Sequence, residues 1–174
     1  FQRIEGEVLK GFLSDKIEEL NKFYSCRHLN ILISPASSGK TSMVEKLKEK
    51  NSRCLLIVPT KAIIKNKNLI DFVKVFDTID IQKYIKTTDS IICTFDKGAQ
   101  IKVEDFGKFD YVFIDESHLL FTESYRMNAI VLLLKKIKNF ILSERSNQDT
   151  LRKSTITVLM TGTPTGEEIY FETD

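Results

Sequence analysis

Residues 34–41 combine small residues with a glycine, a lysine and a hydroxyl, in the order Ser-Pro-Ala-Ser-Ser-Gly-Lys-Thr. An apolar run at residues 29–33 precedes them, and a Lys- and Glu-rich helical pattern follows over residues 40–50. Such a segment joins a buried strand to the start of a helix. There, backbone N–H groups and the positive end of the helix dipole point toward one anion. The segment is therefore predicted to bind phosphate.

Three residues of this loop would have distinct roles toward a nucleoside triphosphate and Mg²⁺. Gly39 would let the backbone approach phosphate, Lys40 would reach the β- and γ-phosphates, and Thr41 would place its hydroxyl on the metal. Ser34 stands where the general pattern has glycine, which tolerates backbone angles that serine does not. The alternative is a turn whose Gly-Lys-Thr is coincidental. The predicted nucleotide contacts are Pro35, Ala36, Ser37, Ser38, Gly39, Lys40, Thr41 and Ser42.

A second candidate group follows the apolar run at residues 111–114, where the chain reads Asp115-Glu116-Ser117-His118. Adjacent carboxylates at a strand end are costly unless a cation or partner is present. Asp115 would hold Mg²⁺ through water, and Glu116 would orient and deprotonate an attacking water. His118 lies two residues later, which favours a role at the same site. The alternative is a helix N-cap at Asp115 and Glu116.

Apolar runs alternate with helical patterns along the chain. This alternation predicts an α/β fold with a mostly parallel sheet flanked by helices, in which ligands bind beyond the carboxyl ends of the strands. Polar residues 139–153 are predicted to form an excursion between a helix and the last strand. Strands are predicted at residues 29–33, 54–58, 73–76, 91–95, 111–114 and 155–160, and helices at 7–24, 40–50, from 61, at 79–85, and at 119–143 as one helix or two.

The composition is that of one soluble globular domain, and 174 residues suffice for a single core. The net charge of +2 permits a nucleic-acid partner only through a local basic face. Cys54 and Cys93 lie in apolar runs, so they are interpreted as reduced core thiols of a cytoplasmic protein. No apolar run approaches the roughly 20 residues that span a bilayer, which predicts no membrane association.

Together these segments resemble the superfamily two helicases and translocases of the DEAD/DEAH-box-like kind. Residues 35–41 are similar to the first motif of that group, with Ser37 in place of its middle glycine, and residues 115–118 are a DExH form of its second motif. Residues 58–62 look like motif Ia, residues 93–96 like motif Ib, and residues 161–164 like motif III.

The resemblance implies a RecA-like P-loop NTPase fold that uses ATP and Mg²⁺. Residues 1–174 would form a single ATP-binding domain, the N-terminal motor lobe of a DNA or RNA helicase or translocase. The second RecA-like lobe is absent, so we expect the isolated fragment to be weakly active. The implied partners are that second lobe and nucleic acid, with DNA favoured over RNA. The residues implied to contact nucleic acid, or to couple it to ATP, are Thr60, Lys61, Thr94, Thr161, Gly162 and Thr163.

Lysines cluster after two of these segments, and both clusters could contact phosphate or be plain solvated surface. Two other functions remain open, a P-loop phosphotransferase such as a small nucleotide kinase and a non-catalytic nucleotide-binding module. The arginines after the phosphate loop do not group as a kinase lid, and the intact Lys40, Thr41, Asp115 and Glu116 oppose a non-catalytic module. The clustered lysines are Lys61, Lys65 and Lys67, and Lys97, Lys102 and Lys108.

Overall fold

The computed structural model describes residues 12–34, 39–66, 69, 71–115, 127–146 and 154–161. Helices and strands alternate along these residues, as the sequence pattern predicts. The helices are α1 (Ile17–Phe23), α2 (Lys40–Glu49), α3 (Lys61–Asn66), α4 (Ile81–Ile85), α5 (Phe95–Gly98) and α6 (Met127–Ser146). The strands are β1 (Asn30–Ile33), β2 (Cys54–Val58), β3 (Val73–Val75), β4 (Ile91–Thr94), β5 (Tyr111–Ile114) and β6 (Ile156–Thr161). Short 3₁₀ helices occupy Leu13–Asp15 and Val103–Lys108.

The six strands form one sheet in the order β1-β6-β5-β2-β4-β3, and every pairing is parallel. The register places Ile57 of β2 opposite Cys93 of β4 and Ile114 of β5. The central strands are apolar throughout because helices cover both of their faces. The predicted fold class is confirmed, and all strand carboxyl ends lie along one edge of the sheet.

Alternate residues of each central strand enter different cores. Leu55 and Ile57 of β2 pack with α4, α5 and α6, whereas Cys54, Leu56 and Val58 pack with α1, α2 and α3. This is the period-two alternation of a strand buried on both sides. The result is a three-layer arrangement that holds the carboxyl edge rigidly.

Two predicted boundaries are wrong. Residues 139–146 are not part of a polar excursion but form the last turns of α6, because Phe140 and Ile141 continue the buried face that Ile137 belongs to. Phe95 does not end a strand but begins α5, whose first turn is capped by the Thr94 hydroxyl accepting from the Lys97 N–H (3.4 Å). The predicted helix over residues 7–24 is described from residue 12, as a 3₁₀ turn followed by α1. Predictions for residues 119–126 and 147–153 lie outside the described residues.

Cys54 and Cys93 are both buried, in agreement with their interpretation as core thiols. No helix within the described ranges has the length and apolar character needed to cross a membrane.

Candidate nucleotide-binding site

Lys40 and Asp115 meet at the carboxyl edge of the sheet. Lys40 is the first residue of α2, which follows β1, and Asp115 directly follows β5. The Lys40 Nζ lies 3.6 Å from Asp115 Oδ1, and the two side chains are only 11% and 5% exposed. Since β6 lies between β1 and β5, the lysine reaches across the end of one strand. The two candidate groups that are far apart in sequence therefore form one polar site.

Gly39 sets the direction in which Lys40 leaves the loop. It precedes α2 with a φ of 89°, in the left-handed region that favours glycine, and its carbonyl accepts the first helical hydrogen bond from the Met43 N–H (2.9 Å). A Cβ at this position would make only ordinary van der Waals contacts, the nearest 3.4 Å from the Leu13 N, so the backbone angle and not the available space favours glycine. The glycine before the lysine is thus required by the backbone itself.

Ser34 occupies the first position of the loop without left-handed geometry, since the non-glycine residues described with positive φ are Asn51, Asp71 and Asp77. Its side chain is buried, and its N–H donates to the carbonyl of Thr161 (2.9 Å). A serine is therefore compatible with this position. The bond also ties the start of the phosphate loop to the end of β6, a link that the sequence pattern did not indicate.

The remaining predicted nucleotide contacts are only partly described. Thr41 is half-buried in the first turn of α2, and Ser42 beside it is exposed. The predictions that lie outside the described residues, and so remain predictions, concern Pro35, Ala36, Ser37, Ser38, Glu116, His118, Gly162 and Thr163.

The described side chains suit a magnesium-bound triphosphate. Mg²⁺ prefers hard oxygen ligands and is held by one or two carboxylates together with substrate phosphates and water. Asp115 supplies a carboxylate and Thr41 a hydroxyl, while Lys40 supplies a cation for phosphate oxygen. A buried carboxylate is costly unless it is paired, and here the ammonium of Lys40 is close enough to compensate it.

The family model for DEAD/DEAH box helicases matches residues 17–170, most of the chain. The chain belongs to the DEAD/DEAH box helicase family. Comparison with curated protein sequences gives no match.

Two solved structures resemble this helicase domain in fold. The UvsW structure from bacteriophage T4 is 16% identical, with a TM-score of 0.51 over 91% of this chain and 31% of its own. The Sulfolobus solfataricus SWI2/SNF2 ATPase core, solved in complex with dsDNA, is also 16% identical, with a TM-score of 0.52 over 94% of this chain and 36% of its own. The helicase domain thus has the RecA-like fold of such cores and spans about a third of the length of these two structures.

The helicase domain places the candidate nucleic-acid residues along the same carboxyl edge, but in different environments. Thr60 follows β2 and is exposed, and Lys61 begins α3 with its Nζ 3.2 Å from Asp77 Oδ2. Thr94 and Thr161 end β4 and β6 and are buried, and the Thr94 hydroxyl already caps α5. Thr60 and Lys61 are therefore accessible to a ligand, whereas the Thr94 hydroxyl already accepts a hydrogen bond within the fold. The roles of all four residues toward nucleic acid stay predictions.

Sequence reasoning missed the carboxylate beside Lys61. Asp77 adopts left-handed backbone geometry just after β3, with a φ of 52°. An aspartate after a short apolar run indicates a turn. It does not indicate which lysine the side chain will face, because that depends on how β3 and α3 pack.

Proposed function

We propose that this helicase domain is the N-terminal motor lobe of an ATP-dependent helicase or translocase that acts on DNA. The observation that supports the proposal most strongly is the 3.6 Å approach of Lys40 Nζ to Asp115 Oδ1 at the start of a phosphate-loop helix. A nucleotide kinase shares the phosphate loop, but the acidic group after β5 and the family membership favour a motor.

Lys40 would bind the phosphates of ATP and leave its position beside Asp115. The Asp115 carboxylate, through water, and the Thr41 hydroxyl would then be the protein groups that hold Mg²⁺. Bound Mg²⁺ would neutralise charge on the phosphate oxygens. Glu116, the next residue in the chain, would orient the attacking water and accept its proton.

The bond between the Ser34 N–H and the Thr161 carbonyl supports coupling of this site to nucleic acid. Thr161 opens the segment that resembles motif III, which in this family links the ATP site to strand handling. A displacement of the phosphate loop during hydrolysis would shift the end of β6 because the two are directly bonded.

Contacts with nucleic acid would be made by the exposed Thr60 and Lys61 and would be directed to the phosphate backbone. Such binding depends little on sequence and weakens as salt rises. The choice of DNA draws on the SWI2/SNF2 ATPase core, whose structure was solved with dsDNA. A second RecA-like lobe would close over the nucleotide and supply the arginines of the complete site.

The test is ATP hydrolysis by the full-length protein, measured without nucleic acid, with DNA and with RNA. We expect DNA to stimulate hydrolysis, and Glu116→Gln to reduce the rate at least 100-fold while nucleotide binding is kept, since general-base catalysis contributes about 10²–10⁴-fold. Glu49→Gln, at the exposed end of α2, is the matched control and should hydrolyse normally. Stimulation by RNA alone would overturn the choice of DNA, and phosphate transfer to a small acceptor would favour the kinase.

A further inference from the structure

The flank of α6 that faces β1 carries exposed apolar side chains. Arg145 marks this flank because its Nε donates to the carbonyl of Arg27, just before β1, while α5 and the second 3₁₀ helix pack on the other side of α6. At about 100° per residue, Val131 and Leu142 fall within about 60° of Arg145 around the helix. These two side chains are 37% and 42% exposed, so α6 presents an apolar strip toward β1.

Strand β1 continues this apolar strip. Ile31 and Ile33 are paired in register with Leu159 and Thr161 of β6, and Leu159 belongs to the core that α6 covers. Residues in register point to the same face of a parallel sheet, so Ile31 and Ile33 lie on the α6 side. Ile31 is half-buried and Ile33 is 55% exposed, and β6 is the only strand paired with β1 in the described part of the sheet. We call the apolar surface formed by Ile31, Ile33, Val131 and Leu142 the β1–α6 groove.

The rim of the β1–α6 groove is basic. Residues 24–34, which include β1, contain no carboxylate, and the single carboxylate of α6, on Glu144, belongs to a buried side chain. Lysines and arginines on the β1-facing flank of α6 and before β1 therefore set the local charge, and they favour an apolar segment that also carries negative charge. These basic residues are Lys135, Lys138, Arg145 and Arg27.

The segment that leaves β6 has a matching composition. Residues 167–174 read Glu-Glu-Ile-Tyr-Phe-Glu-Thr-Asp, an apolar run between carboxylates with no basic residue, and they lie outside the described residues. β6 ends at Thr161, which is paired with Ile33 at the groove. Between them, residues 162–166 contain two glycines and a proline, which favour a change of chain direction. An acidic, apolar segment thus starts within a few residues of a basic, apolar groove.

The topology and the length also favour this groove. α6 connects β5 to β6 across one face of the sheet, and a right-handed connection that continues from β6 past β1 crosses the same face. The helix from Val131 to Leu142 is about 16 Å long. About five residues of extended chain cover that length, which residues 167–172 can supply.

We propose that residues 167–172 of this chain bind in the β1–α6 groove. Ile169 and Phe171 point to the same side of an extended segment and contact the apolar floor, while the flanking glutamates lie toward the basic rim. The bound segment covers the edge of β1, whose backbone groups would otherwise be open to pairing with another strand. The inference involves no nucleotide chemistry and is independent of the proposed function.

The test is chymotrypsin cleavage of the full-length protein after Tyr170 and Phe171, with the cut sites identified by mass spectrometry. Leu142→Ser is compared with Leu132→Ser, because both leucines belong to α6 and are 42% and 45% exposed, whereas Leu132 lies about 140° from Arg145 around the helix. We expect Leu142→Ser to raise the rate of these cuts at least fivefold, since loss of an apolar contact releases the segment about 5–30 times more often. Leu132→Ser should change the rate by less than about twofold.

Val131→Ser repeats the test at the other end of the groove, and circular dichroism shows whether each variant is folded. A free peptide with the sequence of residues 162–174 gives the cleavage rate of the unbound segment. The proposal is overturned if the wild-type protein is cut as fast as this peptide, or if Leu142→Ser and Leu132→Ser have equal effects. Protection that rises with protein concentration would assign the groove to the same segment of a second copy and would also overturn binding within one chain.

Discussion

The Nζ of Lys40 lies 3.6 Å from Oδ1 of Asp115, although these residues follow the first and the fifth strand of the chain. The parallel sheet makes this possible because it brings both strand ends to one edge. In the absence of a triphosphate, the two largely buried charges compensate each other. The same lysine therefore has a role in stability as well as in the proposed binding of phosphate.

A double-mutant cycle on this pair should show strong coupling. Lys40→Met leaves a buried carboxylate with less compensation, and we expect the free energy of unfolding to fall by about 2–4 kcal/mol. Adding Asp115→Asn should recover part of that loss, with a coupling energy of about 1–3 kcal/mol in urea unfolding. Lys40→Met should also weaken ATP binding at least tenfold.

The control cycle uses Lys46 and Asp15, which pair across 3.3 Å but are 45% and 65% exposed. Lys46 belongs to the same helix as Lys40, so the helix context is matched. Exposed pairs contribute about 0.2–1 kcal/mol. Equal coupling in the two cycles would contradict the role assigned to burial.

Removal of the Asp77 carboxylate should strengthen binding to DNA. In the described geometry Asp77 neutralises Lys61, so a phosphate must compete with it for the ammonium. Asp77→Asn keeps a residue that tolerates left-handed geometry and should raise affinity about 1.5- to fivefold, the range expected from losing an exposed ion pair. Fluorescence anisotropy with single-stranded DNA measures the effect.

Asp71→Asn is the matched control for that change. Asp71 is also left-handed, with a φ of 66°, and it pairs with Lys48 at 3.3 Å. It lies before β3 and Asp77 lies after it, so the two carboxylates are at opposite edges of the sheet. If both variants raise affinity equally, the gain comes from net charge and not from Lys61.

Arg53 should be needed for stability at the amino edge of the sheet. Its guanidinium donates to the carbonyls of Asp89 (2.9 Å), Tyr84 (3.1 Å) and Ile85 (3.2 Å), and its centre lies 4.3 Å from the centre of the Phe109 ring. Lysine cannot form this planar set of contacts, so Arg53→Lys should lower the free energy of unfolding by about 1.5–4 kcal/mol.

The measurement is urea unfolding of the Arg53→Lys variant, and the Arg145→Lys variant is the control for the change in the free energy of unfolding. Arg145 is exposed and donates from Nε to the Arg27 carbonyl. Its substitution should change stability by no more than about 0.5 kcal/mol. A loss at Arg53 as small as that at Arg145 would show that the network is not stabilising.

The two buried thiols should keep their protons until the pH is high, and this should lower the stability of the folded protein in alkaline solution. Burial, with a smaller contribution from Asp110, raises the pKa of Cys54 to about 12, and burial also raises the pKa of Cys93. An unfolded cysteine has a pKa of about 8.5, so above that pH the unfolded chain releases protons that the folded chain keeps. These thiols should therefore leave the free energy of unfolding unchanged below about pH 8 and should lower it as the pH rises toward 12.

Thiol labelling at pH 8 checks the same burial. Native protein should react rapidly with Ellman's reagent at the half-buried Cys26 and slowly at Cys54 and Cys93, and all three should react after unfolding. Cys26→Ser should abolish the rapid phase. Rapid labelling of Cys54 in the native protein would show that β2 is less protected than its packing implies.

The sequence was sufficient to predict the strands and the residues at their ends. The apolar runs around Leu55 and Phe113 predicted strands buried on both faces, and Gly39-Lys40-Thr41 predicted the start of a helix after β1, where α2 begins. The phosphate role of that segment stays a prediction. The sequence was only partly sufficient for α6: the helix predicted at residues 119–143 includes Phe140 and Ile141 and is confirmed from residue 127, but the polar residues after 139 also suggested an excursion, whereas the helix continues to Ser146. Phe95 was misassigned because an apolar residue after β4 fits a strand as well as a capped turn.

Contacts between residues that are far apart in the sequence could not be predicted for a different reason. Asp77 faces Lys61, and Ser34 bonds to Thr161, only because of how strands and helices are arranged in space. Neither pair has a spacing that local geometry favours. These contacts depend on the order of the strands in the sheet. From a single sequence, that order can be inferred only by resemblance to a known family.

The insertion of β6 between β1 and β5 has a consequence for synthesis of the chain. Among the described strands β1 has β6 as its single neighbour, and Ser34 depends on Thr161 for its backbone bond. A ribosome produces β1, Lys40 and Asp115 well before residues 156–161 emerge. A nascent chain therefore carries these candidate site residues without the strand that holds them in place, and the site can be completed only after residues 156–161 have left the ribosome.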